Sequence, residues 1–491
     1  MLVIKRIIAL ILIFSLMFVI LSCHSKTVEN DQNDEPVLST GNARYDPELP
    51  DKNFGGIDFT FVVRGEKGDP YKWNGTDIVS KGYTGEIIGD SIFKRNSYLE
   101  EKYNVVINVY FAGNTNVNTI GSDMYNRVQR AIFSGESDFD AILTSPYDTV
   151  GYILSGFVLD LSNVPYIDFQ REWWDPNVIN MINIGGKTYT ATGSLTIIDD
   201  KATHTFIFNK NLIKNFNLDD PYTVVKDGEW TFEKLITDSR AVTADIDGDG
   251  VMTEKDRYGF HYWQDAVFTF LCSTGNSFGK LINGYPELTL NTPKTIDVWE
   301  KMIDFVREDS TFTNYDYYNV DGVDLFTMIS NDRVLYGWTT IADIIDLRQI
   351  FGDFGIIPAP KYNTSQENYI TSPHSYGNTL LTIPKITRDF EDTGFILEAF
   401  SAKSAELLTP AFYEIVLKSR TAQDQESAEM LDIIFSTKYY DIGLFFMWGD
   451  YGNVMMDAFN EKSRNFVTEY LKHEKAALND MQKLVDYIVL N

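Results

Sequence analysis

Cysteine is nearly absent. Cys23 and Cys272 are the only two in 491 residues, so neither a disulfide framework nor a cysteine-based zinc cluster can be built. Histidine is almost as scarce: His24, His204, His261, His374 and His473 lie far apart, without an H-E-x-x-H pair or other ligand spacing. No Walker loop or G-x-G-x-x-G occurs, and no short internal repeat points to a solenoid. Positive charge is in deficit, with 42 Lys and Arg against 70 Asp and Glu and a formal net charge of −28. So acidic a chain repels phosphate backbones, which argues against a nucleic-acid partner. Apolar residues are not lacking. At 44% hydrophobic and 23% charged, the chain has ample surface to bury, and its length suits two or three domains.

The N-terminus reads as an address. Lys5 and Arg6 precede an apolar run from Ile7 to Leu21, broken only by Ser15. The run is too short to span a bilayer comfortably and is right for a signal-peptide core. It ends Ile20-Leu21-Ser22-Cys23, similar to the lipobox of bacterial lipoproteins, whose cysteine thiol is acylated after cleavage. An ordinary secretory peptide is the plainer alternative. We therefore expect a signal peptide over 1–22, lipidation at Cys23, and a lipid anchor on the extracytoplasmic face of the cell membrane. Residues 23–53 are polar and aperiodic, and read as a flexible tether.

Beyond the tether the pattern is α/β. Ile57–Val63, Val105–Phe111 and Phe139–Leu143 read as strands, alternating with helical spacing over Asp90–Tyr103 and Met124–Phe133. Such alternation implies βαβ units and a largely parallel sheet. The pattern restarts at Thr205–Phe208, followed by a helix opened by Trp230-Thr231 with Thr231 as N-cap, and a helix over Asp297–Val306. Arg333–Tyr336 and Phe354–Ile357 read as further strands. The remainder is mostly helical: Phe390–Ser404, Thr409–Lys418, Gln425–Ser436 and Ser463–Leu490.

Asp245 to Asp256 is the sharpest local motif. Calcium takes about six to eight oxygen ligands, and a compact loop supplies them from alternate positions. Asp245, Asp247 and Asp249 occupy positions 1, 3 and 5; Gly250 provides the turn at position 6, Val251 its carbonyl at 7, and Asp256 closes at 12. An acidic surface turn is the alternative, since Asp-Gly pairs form turns unaided. There is one loop without a partner, and Arg257-Tyr258-Gly259-Phe260 follows as a strand. The expected calcium is therefore a structural staple rather than a sensor.

From about Phe54 onward the chain resembles the family 1 extracellular solute-binding proteins of ABC importers, relatives of maltose-binding protein. The resemblance rests on Phe139-Asp140-Ala141-Ile142; Gly156-Phe157-Val158-Leu159-Asp160-Leu161; Gly186-Lys187-Thr188-Tyr189; Phe208-Asn209-Lys210-Asn211-Leu212; Gly228-Glu229-Trp230-Thr231-Phe232; the aspartate loop with Tyr258-Gly259-Phe260; and Phe354-Gly355-Ile356-Ile357-Pro358-Ala359-Pro360, in that order. It implies a two-lobed α/β fold of the type II periplasmic-binding-protein kind, with a hinge and an interlobe cleft. The N-terminal lobe is expected over 54–200 plus 378–442 and the C-terminal lobe over 201–377 plus 443–491. Crossings are expected near Ser194–His204, Ser372–Leu380 and Tyr440–Phe446. It further implies a monomer that is not an enzyme, and that delivers a small solute, a carbohydrate or oligosaccharide first, to a permease. The Trp173-Trp174 insertion departs from maltose-binding protein, so maltose does not follow.

Sugars are gripped by aromatic faces and by polar groups that pair with hydroxyls. By match to the family's cleft positions, Trp338 and Trp448 are the expected stacking residues. Tyr147 and Asp148 follow the third strand, and ligands bind at strand carboxyl ends; Trp263 and Tyr376 complete the set. Trp230 and Trp299 read as packing residues. A secreted glycan-degrading enzyme, needing two carboxylates across a cleft, and a calcium-dependent adhesion protein are the rival classes.

Overall fold

The computed structural model describes residues 42–69, 71–113, 122–316, 322–346, 354–418 and 425–491. The leader, Cys23 and the tether as far as residue 41 lie outside them. The tether was expected to run to residue 53, but the chain is packed from Asn42 onward. The Arg44 guanidinium donates to both carboxylate oxygens of Glu172, and Tyr45 and Leu49 sit against the apolar core.

The strands are β1 (Ile57–Val63), β2 (Val105–Phe111), β3 (Ala141–Thr144), β4 (His204–Asn209), β5 (Tyr258–Tyr262), β6 (Gly279–Ile282), β7 (Tyr285–Leu288), β8 (Thr311–Thr313), β9 (Val334–Thr340), β10 (Phe354–Ile357) and β11 (Leu380–Thr382). They form two main sheets. The first has the order β11-β3-β1-β2, with β1 parallel to β2 and β3, and β11 antiparallel at the edge. Its register sets Ile57 beside Val105 and Val63 beside Phe111, so β-branched and aromatic rows meet across the pair. The second has the order β10-β4-β9-β5-β8, parallel across β9-β5-β8 and antiparallel across β10-β4-β9. β6 and β7 form a separate hairpin. Both main sheets are flanked by helices.

Two boundaries differ from expectation. Helix Gln425–Ser436 packs on β10, so the second lobe resumes before residue 443. Phe390–Ser404 and Thr409–Lys418 are one helix, Phe390–Lys418, running through Pro410. Proline costs one backbone hydrogen bond there. Burial of Leu408 and Phe412 on either side, in the apolar cluster with Ile207 and Tyr258 of the second sheet, outweighs it. The front half of the same helix packs Phe400 on Phe61 of the first sheet, so one helix serves both lobes.

Trp173 and Trp174 are core residues. Their indole N–H groups donate to the two oxygens of Glu398, at 3.0 and 2.9 Å, on that shared helix. Burial raises the Glu398 carboxyl to about 7, against the lowering effect of these bonds. A carboxyl whose folded pKa is raised favours folding most fully below its unfolded pKa, and that contribution is lost as pH climbs through the folded value. We therefore expect the stability of Glu398→Gln relative to wild type to rise by about 3 kcal/mol between pH 4.5 and 7. This adds to a pH-independent loss from removing one acceptor. Paired urea titrations across that range test it; a pH-invariant difference would refute it.

Candidate ligand-binding cleft

Two stretches of chain connect the strands of the two sheets, β3 to β4 and β10 to β11, and they run side by side. Ala202–His204 lies against Ser372–His374: His374 N–H donates to the Ala202 carbonyl at 2.7 Å, and His204 N–H to Ser372 at 3.4 Å. Thr437–Tyr439 runs alongside them, and Tyr439 N–H donates to the Thr371 carbonyl at 2.8 Å. Lys438 is buried there beside Asp175, Asp199 and Asp200, whose carboxylates outweigh desolvation and hold its ammonium well above the ordinary lysine range. Two neighbouring crossings, with the shared helix Phe390–Lys418 as the remaining link, permit rotation of one sheet against the other with few dihedral changes, the geometry of a hinge.

In front of this hinge lies a cavity of about 550 Å³, in the usual range for small-molecule sites. The carboxyl ends of the parallel strands from both sheets face it. β1 leads through Arg64 to Tyr71, Lys72 and Trp73, and β3 leads to Tyr147. From the other side β5 leads to Trp263 and Asp265, β8 to Asn314, and β9 ends in Trp338, Thr339 and Thr340. The crossing itself contributes His374 and Tyr376.

The walls are fixed from behind. Arg64, buried, donates to the carbonyls of Trp73 (3.0 Å), Tyr376 (2.8 Å) and Gly377 (3.0 Å), so one guanidinium ties the β1 loop to the crossing. Burial lowers its pKa, and it stands behind the wall rather than among the residues that line the cavity. The Trp73 indole lies on Gly377, where an added Cβ would sit 3.0 Å from the ring, and stacks near His374. Tyr147 and Ser375 share a hydrogen bond of 2.8 Å between their hydroxyls. Trp338 donates its indole N–H to the Thr269 hydroxyl at 2.8 Å, and that hydroxyl shares a hydrogen bond of 2.8 Å with Nδ1 of His204. Burial lowers the pKa of both His204 and His374, so the hinge histidines are neutral at physiological pH. Across the cleft, the Lys72 ammonium pairs with Asp343 on the helix following β9.

The cleft therefore gathers Tyr147, Trp263, Trp338 and Tyr376 of the expected ligand residues. Two expectations are corrected. Trp448 is 1% exposed and absent from the cleft. Its ring lies against Gly279, where an added Cβ would come within 2.4 Å of it, and the C-terminal helix Phe466–Leu490 packs over the adjoining turn. Asp148 is 2% exposed, in the first turn of helix Pro146–Leu154. Neighbours on a helix point about 100° apart, so with Tyr147 at the cleft its successor is turned inward. Trp230 and Trp299 are buried packing residues whose indoles donate to the Pro358 and Ser463 carbonyls. Arg64, Tyr71, Lys72, Trp73, Asp265 and His374 escaped the sequence reading. The strand-end rule that found Tyr147 would have found the Tyr71–Trp73 loop had it been applied to β1.

In the aspartate loop, one oxygen from each of Asp245, Asp247 and Asp249 lies within 4.8 Å of the others. Asp245 also accepts N–H groups from Gly248 and Gly250, both at 2.7 Å, which shapes the turn. Asp256 is not part of that group, a correction to its expected role as ligand. Its two oxygens accept N–H from Ile246 at 2.9 Å and Thr253 at 2.7 Å. Burial would raise its pKa, but these backbone donors prevail and lower it, so it braces the loop. Val251 is exposed beside the cluster.

No family model and no curated protein matches the chain. Solved structures do. An ABC substrate-binding protein from Listeria monocytogenes in complex with cycloalternan matches over 88% of this chain and 99% of its own, at 14% identity and a TM-score of 0.53. UspC from M. tuberculosis covers 86% and 100%, at 12% identity and a TM-score of 0.56. A sugar transporter from Rhizobium etli, in an open conformation, covers 87% and 99%, at 12% identity and a TM-score of 0.54. The chain has the two-lobed fold of ABC solute-binding proteins.

Proposed function

We propose that this protein captures a carbohydrate or oligosaccharide in the interlobe cleft and delivers it to the permease of an ABC transporter, acting as a binder rather than an enzyme. The observation that carries the reading is the cleft itself: strand ends from both sheets converge on a cavity walled by Tyr71, Tyr147, Trp263, Trp338 and Tyr376, in front of the paired crossings. Aromatic faces and neighbouring polar groups are what a pyranose requires. A thermal-shift panel of mono- and oligosaccharides, followed by calorimetry, tests it, because a ligand that binds only the folded state raises apparent stability. Release of new reducing ends from any glycan in the panel would instead favour the enzyme reading.

The protein works as a monomer held at the outer face of the cell membrane by a lipid on Cys23. Cys23→Ser is expected to leave it unprocessed or to release it from the membrane fraction; a cleaved mutant retained normally would remove the anchor.

Calcium is the structural ion of the aspartate loop, held by Asp245, Asp247, Asp249 and the Val251 carbonyl. The convergence of the three carboxylates supports this reading. Chelation is expected to lower the melting temperature by several degrees, the equivalent of about 2–3 kcal/mol at saturating ion, while leaving sugar affinity in place. Asp247→Ala and Asp249→Ala should copy the effect and abolish the chelator's. An unchanged wild-type melting curve would refute the site.

A further inference from the structure

Asp265 stands at the N-cap of helix Ala266–Ser273, where an aspartate side chain ordinarily accepts an N–H from the first turn, yet it makes no cap bond. The carboxylate instead lines the cleft, with its side chain 15% exposed. Among the described residues the basic atom recorded against it is Nε2 of His374 at 4.0 Å, beyond hydrogen-bond reach, on an imidazole that burial keeps neutral. The other cleft carboxylates are committed. Asp324 accepts the N–H groups of Phe326 and Thr327 and the Thr327 hydroxyl. Asp343 takes Lys72 on one oxygen and the Thr340 hydroxyl on the other. Lys72 is the only lysine or arginine among the described lining residues, so that pair uses the cleft's one ammonium.

A ligand entering the cleft thus meets one carboxylate without a donor and no cation to spare. Around it stand the rings of Tyr71, Tyr147, Trp263 and Tyr376, and aromatic faces attract cations through their quadrupole. Asp265, Tyr71 and Tyr147 line the same cavity, and the carboxylate's charge adds to the burial that raises both tyrosine hydroxyls. A mostly buried carboxylate without donors is costly, and a bound ammonium removes that cost.

We propose that the solute is an amino sugar: its protonated amine is received by Asp265 while the aromatic walls cover its ring, and the same charge balance turns away sugars bearing carboxylate, sulfate or phosphate. This rests on the reading of the cleft as a carbohydrate site. The test titrates the full chain by calorimetry with four disaccharides, at a pH below the amine's own pKa. They are the glucosamine dimer of chitosan, its N-acetylated form, cellobiose, and digalacturonate. The glucosamine dimer should bind about 10- to 100-fold more tightly than the N-acetylated dimer or cellobiose, and digalacturonate should not bind. In Asp265→Asn that preference should shrink to near unity. In the wild type it should also vanish when the pH is raised through the amine's pKa, a check that does not depend on the variant folding. Equal affinity for glucosamine dimer and cellobiose, or tight binding of digalacturonate, overturns the amino-sugar proposal alone. Failure of all four to bind overturns the carbohydrate reading beneath it.

Discussion

Trp448→Ala is expected to cost about 3–5 kcal/mol of stability and to leave ligand affinity near wild type. The indole is buried on Gly279 and covered at the adjoining turn by helix Phe466–Leu490, so truncation leaves a cavity whether or not the cleft is filled. Trp263→Ala should behave oppositely. Its ring is only partly buried, lines the cleft and leans on Tyr315 with centroids 5.8 Å apart. Removing an aromatic wall that the closed, liganded form buries costs about 2–4 kcal/mol of binding, roughly 30- to 1,000-fold in Kd, with a much smaller loss in the empty protein. Trp338→Ala falls between the two, because its indole is both a wall and the donor to Thr269 in the hinge. Urea unfolding of each empty variant, paired with calorimetry, separates these outcomes. A Trp448→Ala protein of normal stability and poor affinity would return that residue to the site.

The same three tryptophans show what the sequence could convey. Strand ends were legible because runs such as Ile57–Val63 and Val105–Phe111 are β-branched, aromatic and bounded by turns, and the structure reproduces both spans. From the third such run, Phe139–Leu143, the strand-end rule led to Tyr147. Trp448 was misplaced because nothing local says that a helix beginning at Phe466 folds back over it: Gly449 packs against Ala477, a contact set by tertiary structure. Helix Ala266–Ser273 was missed because all eight of its residues are buried, and a helix apolar all round has no polar face to mark its period. With it went Asp265. β8 and β11, three residues each, were too short to show alternation. The aspartate loop was recognised from spacing alone, yet spacing could not tell a ligand from a brace at Asp256, since both need a carboxylate at the same position.

Arg64→Met is expected to be the most damaging single change at the cleft that removes no wall residue. Arg64 is 4% exposed, and the three bonds of its guanidinium go to carbonyls on two different segments. Methionine fills much of the volume but donates nothing, so the Trp73, Tyr376 and Gly377 carbonyls lose their partner in a site closed to water. Each such loss costs about 1–3 kcal/mol, and the buried Asp148 carboxylate nearby loses the positive charge that balances it. A total of about 3–5 kcal/mol is expected in urea unfolding of the empty protein. Affinity should fall as well, at temperatures where the variant is still folded, because the Tyr71–Trp73 loop and Tyr376 would no longer be held in one register. Lys72→Met is the control. Its ion pair with Asp343 is about 30% exposed at each partner, a setting in which such pairs contribute about 0–1 kcal/mol, so its stability should stay close to wild type. If Arg64→Met unfolds within 1 kcal/mol of wild type and binds normally, the guanidinium is not what joins the β1 loop to the hinge. A large loss of stability with unaltered affinity would keep its structural role and show that the loop holds its place by the packing of Trp73 on Gly377 alone.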